Sequence, residues 1–87
     1  MIMEIHSHAV DRYIERVLNL KPEQAGFHIR EMARIRIREA ASDPEQTYHE
    51  MKEEPPIHIR GQVAVPVDGA TVPTAYHSNT FTSKMDA

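Results

Sequence analysis

Three side chains near the start of the sequence have types and a spacing suited to handling a phosphate group. His8, Arg12 and Arg16 follow one another at steps of four residues within the stretch HSHAVDRYIER. A helix here would place all three in one row on a single face. Histidine titrates near neutral pH, and arginine holds phosphate oxygens as charge develops during cleavage. The row indicates either metal-independent RNA cleavage or a solvated helix face that Asp11 and Glu15 balance.

A second row of cations follows in the next predicted helix. Arg30, Arg34 and Arg38 also recur at steps of four. Like charges at this spacing repel modestly, so an anion or an acidic partner across the row would relieve the repulsion. A nucleic-acid backbone fits that description, and so does the acidic segment 43–54 of this or another chain. The third interpretation is an ordinary solvated face.

No metal or cofactor site is expected from the sequence. His6 and His8 form a His-x-His pair, but no third ligand lies at the spacing of a local zinc motif. With three glycines and no glycine-rich loop, a nucleotide-binding turn is not expected either. Any chemistry would therefore depend on side chains alone.

The bulk composition fits one small globular domain. The chain has 87 residues and no cysteine, and 40% of its residues are hydrophobic, which predicts a domain over residues 1–81 and a polar tail over 82–87. The lack of cysteine, of a long apolar run and of a signal peptide predicts a cytoplasmic protein without a membrane partner. The formal net charge is −3. Residues 1–42 carry seven Lys/Arg and six Asp/Glu, whereas residues 43–87 carry three and seven.

The helices are predicted from apolar spacing. A first helix over residues 8–18, capped by Ser7, would bury Val10, Tyr13, Ile14 and Val17. A second helix would run from the Lys-Pro-Glu start at residue 21 to about residue 42. Its apolar positions recur at steps of four, namely Ala25, Ile29, Ala33, Ile37 and Ala41. The stretch ARIRIRE also alternates as a strand would, but the longer helical pattern favours a helix.

The second half of the chain predicts strands. Alternating residues at 57–60 and 62–67 precede an Asp68-Gly69 turn, and residues 70–76 would return as the next strand. Pro66 and Pro73 predict edges or bulges. Shorter strands are expected near residues 2–6 and 47–51. The resulting fold class is α+β: two N-terminal helices packed on a small antiparallel sheet, in the order β-α-α-β-β with one more strand as an option.

Two stretches carry a resemblance to known proteins. HAVDRYIERV resembles the H-A-x-x-R-x-x-x-R opening of a group of small uncharacterised phage and mobile-element proteins, and TVPTAYHSNTF resembles their closing V-x-T-x-Y strand. Some groups with this opening are similar to the barnase, EndoU, colicin and RelE-like toxin superfamily. In that superfamily two helices precede a twisted antiparallel sheet, and many members cleave RNA without metal. The resemblance spans residues 5–81.

The resemblance assigns roles to five positions. It implies His8 as the acid or base, Arg12 and Arg16 as phosphate holders, and Thr74 and Tyr76 as sheet residues facing the same cleft. The sequence departs from the pattern in its Pro73 beside Thr74 and in its negative net charge, which is unusual for an RNA-cleaving toxin.

Two functional hypotheses therefore remain open. The first is a small ribonuclease-like, toxin-like protein acting on RNA. The second is a phage-encoded interaction protein without enzymatic activity, such as an inhibitor of a host defence complex, acting alone or as a homodimer. An acidic surface that occupies a site meant for nucleic acid would suit the second hypothesis.

Overall fold

A computed structural model describes residues 3–85 of the chain. In chain order its helices are α1 (Ser7–Arg16), α2 (Phe27–Ser42) and α3 (Asn79–Met85), with a 3₁₀ turn at Pro22–Gln24. Its strands are β1 (Glu4–Ile5), β2 (Gln46–Tyr48), β3 (Ile57–Arg60), β4 (Val63–Pro66), β5 (Thr71–Val72) and β6 (Tyr76–His77). The fold is α+β, with the N-terminal helix pair packed on an antiparallel sheet, as the sequence predicts.

The first helix has the predicted buried face and different ends. Ala9, Val10, Tyr13 and Ile14 are buried. The N-cap is His6, in extended conformation, and Ser7 is already the first helical residue, so the prediction of Ser7 as the cap is wrong. The helix ends two residues before the predicted position. The chain reverses at Asn19, whose φ of 57° is in the left-handed region that asparagine tolerates.

The second helix is shorter than predicted at its start. The Lys-Pro-Glu signal at residues 21–23 opens only the 3₁₀ turn, because Ala25 and Gly26 are both extended. Gly26 is the N-cap of α2, in keeping with the low helix propensity of glycine. The predicted apolar stripe is confirmed at Ala33, Ile37 and Ala41, and the ARIRIRE stretch is helical.

The predicted hairpin after the Asp-Gly turn is wrong in its pairing. Asp68 and Thr71 do form a tight turn, exchanging backbone hydrogen bonds of 2.9 and 3.0 Å. The returning segment then splits: β5 pairs in parallel with β1, and only β6 pairs with β4. Pro73 lies in the gap, where its missing N–H removes no ladder bond. The larger sheet has the order β2-β3-β4-β6, all antiparallel.

The expected polar tail begins inside a helix. Residues 82–85 form the second half of α3, and residues 86–87 lie outside the described residues. Phe81 holds this helix against the sheet and is 4% exposed. At the start of α3, the ring Nδ1 of His77 accepts a hydrogen bond from the backbone N–H of Asn79 at 3.1 Å. The side chain therefore satisfies one of the free donors of the first turn.

The larger sheet separates two apolar clusters because side chains alternate along its strands. Val63 and Val65 of β4 face α1 and α2, in the main core. Ala64, between them, faces the other way, where it meets Ile59 and Phe81. The molecule is thus layered: helix pair, sheet, then α3. None of the described helices is long and apolar enough to cross a membrane.

Candidate functional site

The predicted row on α1 forms, and its first two members touch. His8 is exposed at the first turn of the helix. Arg12 donates from Nε to Nε2 of His8 at 3.3 Å and from Nη1 to Glu15 Oε1 at 3.0 Å. We call His8, Arg12 and Arg16 the α1 row.

The third member of the α1 row contacts the sheet side of the molecule. Arg16 Nη1 donates to the backbone oxygen of Ala75 at 3.0 Å, across 59 residues of sequence. Its guanidinium carbon lies 4.8 Å from the centroid of the Tyr76 ring, a cation–π contact. Arg16 therefore joins the end of α1 to the start of β6. This contact holds the helix and strand together whether or not the guanidinium also meets a phosphate.

The segment between β5 and β6 runs alongside α1. The N–H of His6 donates to Val72 O at 3.1 Å at one end of the helix, and Arg16 reaches Ala75 O at the other. Thr74 lies between these two attachments, half-buried and outside any strand, so its predicted place in the sheet is wrong. Tyr76 lies in β6 as expected. The structure thus brings Arg16 and Tyr76 into contact and places Thr74 on the segment beside the helix.

The predicted nucleic-acid row on α2 is largely engaged within the chain. Arg30 Nη2 lies 2.9 Å from Asp11 Oδ1 and donates to Pro22 O at 3.1 Å. Arg34 Nη1 donates to Ile5 O at 3.3 Å. These two side chains tie α2 to α1, the 3₁₀ turn and β1. Arg38 is exposed, so of the three it is the one most available to an outside partner.

A cleft that the sequence did not indicate opens between the helices and the β3–β4 turn. It has a volume of about 360 Å³, and its lining residues come from distant parts of the chain: Tyr13, Arg36, Glu39, Glu45, Arg60, Gly61, Gln62 and Val63. Burial raises the pKa of the Tyr13 phenol, and the nearby positive charge of Arg36 partly opposes that shift. Tyr13 was predicted only as a core residue, since its apolar spacing says nothing about where its hydroxyl points.

Three of the four charged side chains that line this cleft, Glu39, Glu45 and Arg60, have contacts within the described chain. Arg60 donates to the backbone oxygen of Asp43 at 3.0 Å and lies 4.0 Å from Glu39 Oε2. Glu45 accepts the Gly61 N–H at 2.7 Å, which fixes the β3–β4 turn. We therefore assign the cleft a structural part in joining β2, β3 and α2. Across residues 3–85 no three metal-ligating side chains come together; His6 is the N-cap residue before α1, and His8 lies in its first turn.

Comparison with known proteins gives no relative. No protein-family model, no curated protein and no solved structure is detectably similar to this chain. The functional argument therefore depends on the geometry of the described residues.

Proposed function

We propose that this chain is a small metal-independent ribonuclease-like protein whose centre is the α1 row. The observation that carries the proposal is the contact between Arg12 Nε and His8 Nε2 at 3.3 Å on an exposed helix face. It places an imidazole directly beside a permanent positive charge. A site that cleaves RNA without metal can use an imidazole to move a proton and a guanidinium to hold the phosphate.

The chemistry follows from the properties of these side chains. His8 takes the proton of a ribose 2′-hydroxyl as the 2′-oxygen attacks phosphorus. The bond from phosphorus to the 5′-oxygen breaks, which leaves a 2′,3′-cyclic phosphate, and the departing 5′-oxygen takes a proton from solvent water and becomes a hydroxyl. Arg12 turns from the ring nitrogen to the phosphate oxygens and stabilises the charge that builds up there. Arg16, already oriented by Ala75 and Tyr76, supports the same phosphate from the next turn.

The order of the elements supports the proposal. Two helices precede an antiparallel sheet whose strands run β2-β3-β4-β6, which is the arrangement that the resemblance to RNA-cleaving toxins implies. The resemblance also implies that Tyr76 faces the same cleft as the phosphate holders, and the guanidinium carbon of Arg16 lies 4.8 Å from the centroid of the Tyr76 ring.

The test is cleavage of end-labelled RNA in the presence of EDTA. We expect the native chain to cleave and His8→Ala to lose at least a hundredfold in rate, because general acid–base catalysis contributes about 10²–10⁴. His49→Ala is the matched control, since His49 is exposed in the connector after β2, and it should cleave normally. Intact RNA with the native chain, or full activity in His8→Ala, would overturn the proposal.

The acidic connector supports a second candidate function, a non-enzymatic inhibitor of a host nucleic-acid-binding defence complex. Residues 49–54 are all exposed; Glu50 is paired with Lys84, and Glu53 and Glu54 are exposed on the same connector. Such a surface resembles nucleic acid in charge. If RNA stays intact, the chain should prevent a purified defence complex from binding its nucleic acid, and the E53K/E54K variant should not. Unchanged binding in the presence of the native chain would overturn this candidate.

A further inference from the structure

The outer face of α2 exposes apolar side chains that nothing in the described structure covers. Phe27 is 73% exposed, Ile35 48% and Met32 37%. Met32 and Ile35 lie on adjacent turns, on the side away from Ala33 and Ile37, which pack α2 against the rest of the chain. Phe27 is the first residue of the same helix. Scattered apolar residues are ordinary on a protein surface, but here three of them lie on one helix.

Charged side chains border this face in a particular arrangement. Glu31 and Arg38 are seven residues apart, about two helical turns, and lie on one edge. His28 and Glu39 are eleven residues apart, about three turns, and lie on the other edge. Ile35 lies between the edges. The midpoint of each pair along the helix falls within two residues of Ile35. The charges on both edges are therefore arranged about nearly the same point of the helix.

We propose that the outer face of α2 binds a second copy of this chain, with the two α2 helices antiparallel about a two-fold axis beside Ile35. A two-fold axis across antiparallel helices brings each edge against the same edge of the partner, in reverse order. Glu31 then meets Arg38 of the second copy, and His28 meets its Glu39. The Ile35 side chains touch at the axis. The inference does not depend on the proposed function, because it uses none of the α1 row.

The charges on this face are free to form such pairs. Glu31 lies 4.0 Å from Arg34 Nε, and Glu39 lies 4.0 Å from Arg60 Nε, both at the outer limit of an ion pair. Arg34 and Arg60 each have a closer bond to a backbone oxygen. Glu31 and Glu39 would therefore lose little on turning toward a second copy.

Only the antiparallel orientation pairs each edge with the same edge of the second copy. In a parallel two-fold pair each edge would face the opposite edge of the second copy, so Glu31 would not meet Arg38. The antiparallel pair lays Phe27, at the first turn, over the last turn of the partner helix. It thus covers the most exposed aromatic side chain of the described residues.

The first test is the mass in solution by sedimentation equilibrium. One chain has a mass of 10.0 kDa, so we expect the native protein to show twice the single-chain mass and Ile35→Glu to show that of one chain. Met51→Glu is the matched control, because Met51 is 61% exposed in the acidic connector and lies outside the face. It should remain dimeric. A native protein that sediments as one chain at about 100 μM, or a dimeric Ile35→Glu, would overturn the proposal.

The second test determines the orientation by exchanging charges. Glu31→Arg and Arg38→Glu should each weaken the dimer at least tenfold, since each places like charges opposite one another in both symmetric pairs. The double variant restores both pairs and should recover the native dissociation constant. Far-ultraviolet circular dichroism verifies that each variant is folded. A double variant no tighter than the single variants would overturn the antiparallel pairing.

Discussion

Arg12 and Arg16 make different kinds of contact, although both follow His8 at steps of four residues on α1. Within residues 3–85 the side-chain partners of Arg12 are His8 and Glu15, both on its own helix. Arg16 reaches the backbone oxygen of Ala75 and the ring of Tyr76. Contacts within one exposed helix add little to stability, whereas a bond between distant segments holds the tertiary structure together. Nothing in a four-residue repeat distinguishes these cases, so the sequence gives both residues the same role.

Arg16→Ala should therefore destabilise the fold more than Arg12→Ala. We expect a loss of about 1–2 kcal/mol in the free energy of unfolding for Arg16→Ala, from one charge-assisted hydrogen bond and a cation–π contact. Arg12→Ala should change it by less than about 0.5 kcal/mol. Urea unfolding followed by circular dichroism measures both. Equal losses in the two variants would contradict a structural role for Arg16.

Tyr13 should make the stability depend on pH in alkaline solution. Burial raises the pKa of its phenol in the folded chain above the ordinary value of about 10. The unfolded chain therefore loses this proton first as the pH rises, so the stabilisation is complete below pH 10 and is lost as the pH passes through the folded pKa. Tyr13→Phe should flatten this alkaline part of the stability curve, measured by urea unfolding at a series of pH values below and above 10. An unchanged alkaline slope in the variant would show that Tyr13 does not cause it.

At the scale of elements, the sequence predicts the helices, strands and turn that depend on local patterns. It does not predict the pairing of strands that lie far apart in the chain. The apolar faces of α1 and α2, the β3 and β4 strands and the Asp68–Thr71 turn all follow from spacing and turn chemistry. The split of residues 70–76 between two partners does not, because β1 lies far away in sequence. The α3 helix was missed since its seven residues are mostly polar, and among its described side chains Phe81 is the buried one. Likewise, the His8–Arg12 contact was predictable from spacing, whereas the cleft was not.

The N-terminus of α2 is imperfectly capped, so it should respond to a better cap. Gly26 makes no side-chain hydrogen bond to the helix, and a Cβ there would meet nothing within 4 Å. Gly26→Ser should stabilise the fold by a few tenths of a kcal/mol, on the order of the difference between serine and glycine as caps. Gly61→Ser is the contrasting variant, since its φ of +60° strains any other residue, and it should destabilise the fold. Thermal unfolding measures both, and a destabilising Gly26→Ser would contradict the argument.

Phe81 should be the side chain on which the position of α3 depends. It packs between Tyr48 and Tyr76, with ring centroids 5.6 and 5.5 Å away. Phe81→Ala should reduce the free energy of unfolding by about 3 kcal/mol or more, as expected for a buried phenylalanine. Phe27→Ala, on an exposed side chain, should change it by less than about 0.5 kcal/mol in dilute solution, where the chain is monomeric. Urea unfolding compares the two, and similar losses would contradict the packing described for α3.

At the scale of the whole molecule, the two faces of the sheet have unequal cover. The helix pair covers one face with the larger core, and a single seven-residue helix covers the other. The buried residues of the second face are few, namely Ile57, Ile59, Ala64 and Phe81. Regions with few buried contacts open more readily than the core. Amide hydrogens of α3 should therefore exchange faster than those of α2 in native-state hydrogen exchange, and equal protection of the two helices would contradict this layered description.

The parallel pairing of β1 with β5 determines when this chain is able to fold. Glu4 and Ile5 find their partners only at Thr71 and Val72, and Arg16 finds its acceptor only at Ala75. Contacts between residues so far apart close large loops and slow folding. While the ribosome is still making the middle of the protein, the first helix lacks the segment from Val72 to Ala75 that lies beside it in the folded chain. We therefore expect the native structure to form only after nearly all of the described residues have been synthesised. Until then the N-terminal helices expose apolar side chains that a chaperone would bind.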